Sequence, residues 1–340
     1  MLRLEQALFD APTEEFPQTP ASYAENKKPF PERYNQLKTE LGEKHDNVEI
    51  GALLSSIKES GSYNSLVYLN QHGKGHVEIV IRRAWSLIDK INPPHQLSGF
   101  EIFLLLCAIQ IHDIGNVNGR KSHTISFKNE FFEIARKCNL TEPGIKDQIF
   151  QIACVHGGII NGQKDTVAQL RNKIELCTCK VRPQLIASIL RFADELADDY
   201  TRAKEIKDMP AESQIYHAYS KALHTVDINK DEGGGFISMA FFLEKEEAEK
   251  EYKVNGKTMT LLEEILNRTE KMERERRYCH RFFIPYLLIT KIKVVIDILF
   301  PNEFSARTFE YTLQESGYPD ATITIKERDD IMKTVIGRGV

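Results

Sequence analysis

The sequence predicts a mainly α fold: a helical core followed by a small C-terminal α+β cap built on an antiparallel sheet. Two observations carry this. From Tyr34 to about Tyr200 apolar residues recur at helical spacing, and after about residue 220 short β-branched runs flank a glycine cluster. With 340 residues, 41% apolar and 28% charged, the chain reads as soluble and globular, long enough to bury a sizeable core.

Residues 1–33 read as an arm. The segment 1–10 meets an acid at Glu5 and has too short an apolar run for a signal peptide. Pro12, Pro17, Pro20 and Pro29, four of the thirteen prolines, then favour extended chain. Residues 65–91 carry Leu66, Val77, Val80, Ala84, Leu87 and Ile88 near helical spacing and stop before Pro93-Pro94. Ser98, three residues before Glu101, makes a capping box for an apolar helix reaching Ile111. Residues 147–155 and 183–197 continue the series, the latter with proline in its first turn, and 161–179 reads as a polar loop with a short helix. A helical domain over 34–205 results.

Beyond it, residues 222–229 and 236–243 form a β-hairpin around the glycine-rich turn at 231–235. Residues 257–283 read as a long charged helix, and 289–299 as a strand ending before Pro301. The order β-β-α-β predicts a cap over 206–317, leaving 318–340 as a tail. Within the charged helix, the acids interspersed among the basic residues of 268–281 indicate a solvated or interface helix rather than a nucleic-acid contact.

Forty-five Lys and Arg against 49 Asp and Glu leave no general attraction to polyanions, so such a site must be local. The longest apolar stretch, about 102–111, is broken by Gln110 and is short of the ~20 residues a membrane span needs. Cys107, Cys138, Cys154, Cys177, Cys179 and Cys279 show no CxxC pairing, which suits reduced thiols and a cytoplasmic location.

The chemistry concentrates at Ile111-His112-Asp113-Ile114-Gly115-Asn116, where the apolar helix ends. An adjacent imidazole and carboxylate buried there need a partner, and a metal ion is one. His45-Asp46, in a polar segment, reads as surface instead. His76, His156 and Asp194 stand on other apolar helical segments. Two imidazoles and two carboxylates from His76, His112, Asp113 and Asp194 suit Mn²⁺, Fe²⁺, Co²⁺, Zn²⁺ or Mg²⁺.

In that order, His76, His112-Asp113 and Asp194 resemble the H…HD…D ligand set of the HD-domain metal-dependent phosphohydrolases. The local strings agree: Gln71-His72-Gly73-Lys74-Gly75-His76, His112-Asp113-Ile114-Gly115 and Leu190-Arg191-Phe192-Ala193-Asp194. The chain is most similar to the HD-CE group of bacterial conflict systems. The resemblance covers roughly residues 50–205 and implies that the helical domain, 34–205, is an HD-type metal-binding domain that cleaves a nucleotide phosphate bond with one or two ions. His156 then joins as a ligand of a second ion bridged by Asp113, and His123 or His156 is the proton donor. Asn116 stands where the deoxynucleoside triphosphohydrolase branch carries another histidine, a departure from that branch.

Phosphate contacts are expected from Arg120 and Lys121 beside His123, and from Arg191 and Arg202. Asp198 and Arg202 would share a helix face with Asp194, either facing the cleft or forming a surface ion pair. Tyr216 and Lys221 could stack on a base and meet phosphate, or simply join core to cap. A (deoxy)nucleoside triphosphate is the favoured substrate, with an antiviral defence role implied by the resemblance. A cyclic or oligonucleotide messenger phosphodiesterase is the alternative enzyme, although the HD-GYP subfamily is disfavoured because its Gly-Tyr-Pro motif is not expected after Asp113. A nucleotide-sensing module regulating a partner protein of a defence operon is the alternative outside catalysis, and a homo-oligomer is compatible with each reading.

Overall fold

The computed structural model describes residues 1–19, 27–60, 73–118, 126–142, 144–160, 162–203, 211–254, 256–315 and 325–337. The chain folds as two units, one holding Met1–Glu59 and His72–Ala197, the other Asp198–Val340.

In the first unit, helices α1 (Arg3–Asp10), α2 (Phe30–Ser60), α3 (Lys74–Ile88), α4 (Gly99–Ile111), α5 (Lys128–Lys137) and α6 (Ile145–Cys154) come first. A small hairpin, β1 (Ile174–Leu176) and β2 (Cys179–Val181), leads into α7 (Pro183–Glu195). Every residue of α4 is buried, as expected of a helix apolar on all sides, and α1, α3, α6 and α7 pack around it. The first residues, ahead of the proline-rich stretch, form a packed helix: α1 buries Leu4 and Leu8, one turn apart, and Glu5 receives the Tyr34 hydroxyl at 2.8 Å. His45 is not at the surface. It is 4% exposed, on the inward stripe of α2 with Leu37, Leu41 and Val48, while Asp46 faces out.

Ser98 caps α4 as the sequence indicates: its Oγ accepts from the Glu101 amide, and Glu101 Oε2 accepts from the Ser98 amide at 3.1 Å. Glu101 Oε1 also takes the amide and Nε of Arg182, both at 2.9 Å, tying the starts of α4 and α7 together. Ser98→Ala should therefore lower stability by about 0.5–2 kcal/mol in urea titrations, the range for a lost helix cap. An unchanged midpoint would show that the Arg182 contacts alone hold this end.

The second unit begins at Asp198, earlier than residue 206. Helix α7 has ended, and Asp198 receives Arg268 Nη1 at 3.0 Å and the Ser220 hydroxyl at 2.7 Å. Helix α8 (Ala211–Ala222) leads into β3 (Leu223–Asp231) and β4 (Gly234–Glu244). Then come α9 (Lys245–Glu249), the hairpin β5 (Glu251–Val254) and β6 (Lys257–Thr260), α10 (Leu261–Phe283), β7 (Ile289–Leu299), β8 (Arg307–Gln314) and α11 (Arg328–Ile336). The charged helix starts four residues later than the sequence suggests, because Thr260 caps it and the preceding residues pair as β6. The tail region contains α11, which buries Ile331, Met332 and Val335.

The four-stranded sheet has the order β3-β4-β7-β8 and is mixed, not antiparallel throughout. Strands β3/β4 and β7/β8 are antiparallel, whereas the central pair β4/β7 is parallel, with Ala240 opposite Val295. A connection carrying α9, β5, β6 and α10 is long enough to return the chain to its starting end, which a short hairpin cannot do. Ile237, Met239 and Phe241 of β4 alternate into the core with Ile292, Val294 and Ile296 of β7. Helix α10 is not a solvated helix: Glu273 and Arg276 are fully buried and paired, and Arg276 Nη1 donates to the Ile289 carbonyl at 2.7 Å.

Candidate metal centre

Four side chains from two helices and the end of a third meet in the first unit. His76 comes from the first turn of α3, His112 and Asp113 from the end of α4, and Asp194 from the last turn of α7. One donor atom from each lies within 4.8 Å of every other. His76 Nε2 is 3.0 Å from Asp194 Oδ1 and 3.6 Å from Asp113 Oδ2. His112 Nε2 is 3.6 Å from both carboxylates.

These separations suit a shared ion better than direct hydrogen bonds. At 3.6 Å a nitrogen and an oxygen are too far apart to bond. Two atoms each about 2.1 Å from one ion, and about 90–109° apart around it, would sit about 3.0–3.4 Å from each other. Only small shifts separate the observed set from that geometry. The tautomers fit too. His112 Nδ1 donates to the Ile109 carbonyl at 2.7 Å, and a carbonyl only accepts, so the Nε2 of the neutral ring carries the lone pair and faces the cluster. The residues therefore could hold a divalent metal ion.

Electrostatics make the same cluster a concentrated site. Burial drives His112 toward neutrality, but the charges of Asp113 and Asp194 overcome it and raise the imidazole to about 9, so an ion at Nε2 has to displace a proton at neutral pH. Burial alone would raise Asp194; contacts from His112 and His76 instead hold it well below the usual carboxylate range.

His156 sits beside the cluster at the end of α6, with Nε2 3.7 Å from Asp113 Oδ1 and its ring centroid 5.1 Å from that of His112. Its Nδ1 donates to the Ala153 carbonyl, leaving Nε2 of the neutral ring toward Asp113, the arrangement seen at His112. Asp113 thus turns Oδ2 to His76 and His112 and Oδ1 to His156. Asn116 fixes that orientation by donating Nδ2 to Asp113 Oδ1 at 3.0 Å.

Arg191 donates Nη1 to the Gly157 carbonyl and to Thr166 Oγ1, both at 3.0 Å, and Thr166 donates to the Val155 carbonyl at 2.8 Å. Together they clamp the backbone on both sides of His156. Thr166 carries no motif in the sequence, and its role depends on a contact that only the fold brings about.

His123, Arg120 and Lys121 lie outside the described residues. Arg202, Tyr216 and Lys221 belong to the second unit. Because α7 stops at Glu195, Asp198 and Arg202 do not continue the Asp194 helix face. Arg202 Nη1 lies 3.9 Å from Asp198, the Arg268 guanidinium lies 5.3 Å from the Tyr216 ring, and Lys221 reaches Glu247 at 3.4 Å.

The HD-CE family model matches residues 65–268, more than half of the chain. The chain belongs to the HD-CE family. No curated protein and no solved structure matches it. For this HD-CE chain, membership and the buried His/Asp cluster together indicate a metal-dependent hydrolase of the HD-domain kind. Among the described residues no helix is long and apolar enough to cross a membrane.

Proposed function

We propose that this HD-CE protein is a metal-dependent phosphohydrolase that cleaves a nucleotide phosphate bond, with a (deoxy)nucleoside triphosphate as the favoured substrate. The observation that carries this reading is the convergence of His76, His112, Asp113 and Asp194 with nitrogens and oxygens spaced for a common ion. The chemistry supplied by a bound ion is Lewis-acid polarisation of a phosphoryl oxygen and activation of water near neutral pH. The four residues would hold that ion, and Asn116 keeps Asp113 oriented so that His156 could extend the site to a second one. His123 or His156 gives the proton to the leaving oxygen. Arg120 and Lys121 are the proposed phosphate contacts; Arg191 is engaged with Gly157 and Thr166, and Arg202, Tyr216 and Lys221 with partners inside the second unit. The six free thiols favour a reducing cytoplasm, and HD-CE membership favours a role in antiviral defence.

The chain does contain a Gly-Tyr-Pro tripeptide, at Gly317-Tyr318-Pro319, so absence of that motif is no ground against an HD-GYP reading. It lies outside the described residues and beyond the matched span 65–268, and this remoteness is what weighs against a messenger phosphodiesterase.

The test is phosphate release and chromatography over NTPs, dNTPs, cyclic dinucleotides and ppGpp, each with Mn²⁺, Mg²⁺, Co²⁺ or Fe²⁺. Turnover of a triphosphate supports the reading; tight binding without turnover of any substrate would replace it with a sensing module. Within an active enzyme, His123→Ala should keep its metal and slow turnover by ~10²–10⁴, as loss of a general acid does. His156→Ala should lose metal as well as rate. Unchanged activity in the His123 variant would remove that residue from the chemistry.

A further inference from the structure

A cavity of about 440 Å³ lies in the first unit and includes none of the four clustered residues. It is lined by Lys38 and His45 of α2, by Lys74, Val77 and Glu78 of α3, and by Gln110 of α4. Its volume falls in the ~300–1,000 Å³ range of small-molecule sites. A buried hydrogen-bond chain builds its floor. Tyr34 donates to the Glu5 carboxylate at 2.8 Å, Gln110 Nε2 donates to the Tyr34 oxygen at 3.0 Å, and Gln110 Oε1 faces His45 Nε2 at 3.1 Å. Since an amide oxygen only accepts, His45 Nε2 carries the proton. Burial holds the His45 ring neutral, pushing it down to about 4, so Nδ1 is left as an acceptor.

The lining has a definite chemistry. Lys38 already holds the Glu5 carboxylate at 2.7 Å, so Lys74, which has no ion-pair partner among the described residues, is the cation left for a phosphate. Val77 and Ile81 give the apolar side of the lining, and Glu78 gives a carboxylate acceptor. A bare phosphate would leave the Glu78 carboxylate opposite an anion. A nucleobase with an exocyclic amine gives that carboxylate a donor, while its flat face covers Val77 and Ile81. We propose that this cavity is a second ligand site, for a nucleoside monophosphate whose base carries an exocyclic amine, and that its occupancy is felt at the metal centre.

The coupling follows from helix geometry. Lys74, Val77, Glu78 and Ile81 form one stripe of α3, and His76 lies about 200° around the helix from Lys74. Gln110 and His112 have the same two-residue offset at the end of α4. Both helices therefore present the cavity on one side and a metal-centre imidazole on the other.

The site is tested by titrating EDTA-treated full-length protein with AMP, CMP, GMP, UMP and inorganic phosphate in a calorimeter. One or more of AMP, CMP and GMP should bind one to one, at least tenfold tighter than UMP or phosphate. Gly42 borders the cavity, lies in α2, and would have no atom within 4 Å of an added Cβ, so Gly42→Trp can fill the space without breaking the helix. Gly42→Trp and Lys74→Glu should each weaken binding at least tenfold, with helical circular dichroism and melting temperature retained. Asp113→Asn should still bind the ligand, because Asp113 does not line the cavity. No binding of any amine-bearing monophosphate, binding unaffected by Gly42→Trp, or binding lost in Asp113→Asn would each overturn the site. With the ligand bound, Co²⁺ affinity should change at least fivefold; an unchanged affinity overturns the coupling. None of these readouts depends on turnover, so they stand apart from the test of the proposed reaction.

Discussion

Asp113→Ala is expected to leave a protein that binds no stoichiometric metal and has lost turnover by about 10³-fold or more. Asp113 is the residue shared by every part of the centre: Oδ2 lies 3.6 Å from both His76 and His112, and Oδ1 lies 3.7 Å from His156. Several kcal/mol of transition-state stabilisation depend on a bound Lewis acid, and each ~1.36 kcal/mol is tenfold in rate. Elemental analysis would read the metal directly. Melting curves with and without added metal give an independent check, since an ion bound only by the folded state raises the wild-type melting temperature and should not raise that of the variant. Asn116→Ala grades the effect. It removes only the amide that steadies Asp113 Oδ1, and should weaken metal affinity by about 10–100-fold, as loss of an outer-shell partner does. Full metal content in the Asp113 variant would sink the assignment.

Glu273→Ala is expected to destabilise the second unit by about 3–5 kcal/mol. Glu273 is fully buried and receives Arg276 Nε at 2.7 Å, Arg276 Nη2 at 2.8 Å and Arg277 Nε at 2.7 Å. Removing the carboxylate leaves the Arg276 guanidinium, itself 1% exposed, with only the Ile289 carbonyl and the exposed Glu315, 3.5 Å from Nη2. Breaking one side of such a pair costs far more than the pair's net contribution. Replacing both residues, as Glu273→Leu with Arg276→Met, should recover most of the loss. Urea titration followed by circular dichroism measures both, and a cost under about 1 kcal/mol for the single variant would mean that water reaches the arginine.

Local signals make much of the fold and the candidate centre legible. The Ser98 cap, the glycine turn between β3 and β4, and the β-branched strand at Ile289 each depend on residues a few positions apart. His112-Asp113 stands out because a polar pair ends an unbroken apolar helix. His45 is hidden by the opposite circumstance: its neighbours in sequence are polar, and its inward stripe appears only when read at three- and four-residue steps. Asp198 is misplaced by sequence reasoning because its partners, Ser220 and Arg268, are distant in the chain. Alternation in Phe309, Tyr311 and Leu313 does mark β8, but strand direction has no local signature. The parallel pairing of β4 with β7 is set by the path of the intervening chain.

That pairing orders assembly in time. The β3–β4 hairpin closes across a few residues, but β4 meets β7 only after the chain between Glu244 and Ile289 has been drawn in, a high-contact-order step that pays its loop entropy before any strand bond rewards it. Until then β4 presents an open edge of unpaired backbone groups with Ile237, Met239 and Phe241 alongside, the kind of edge to which another chain can add. Slow refolding of the second unit, and loss to aggregation that grows with protein concentration, are the kinetic signature of placing a late strand at the centre of a sheet.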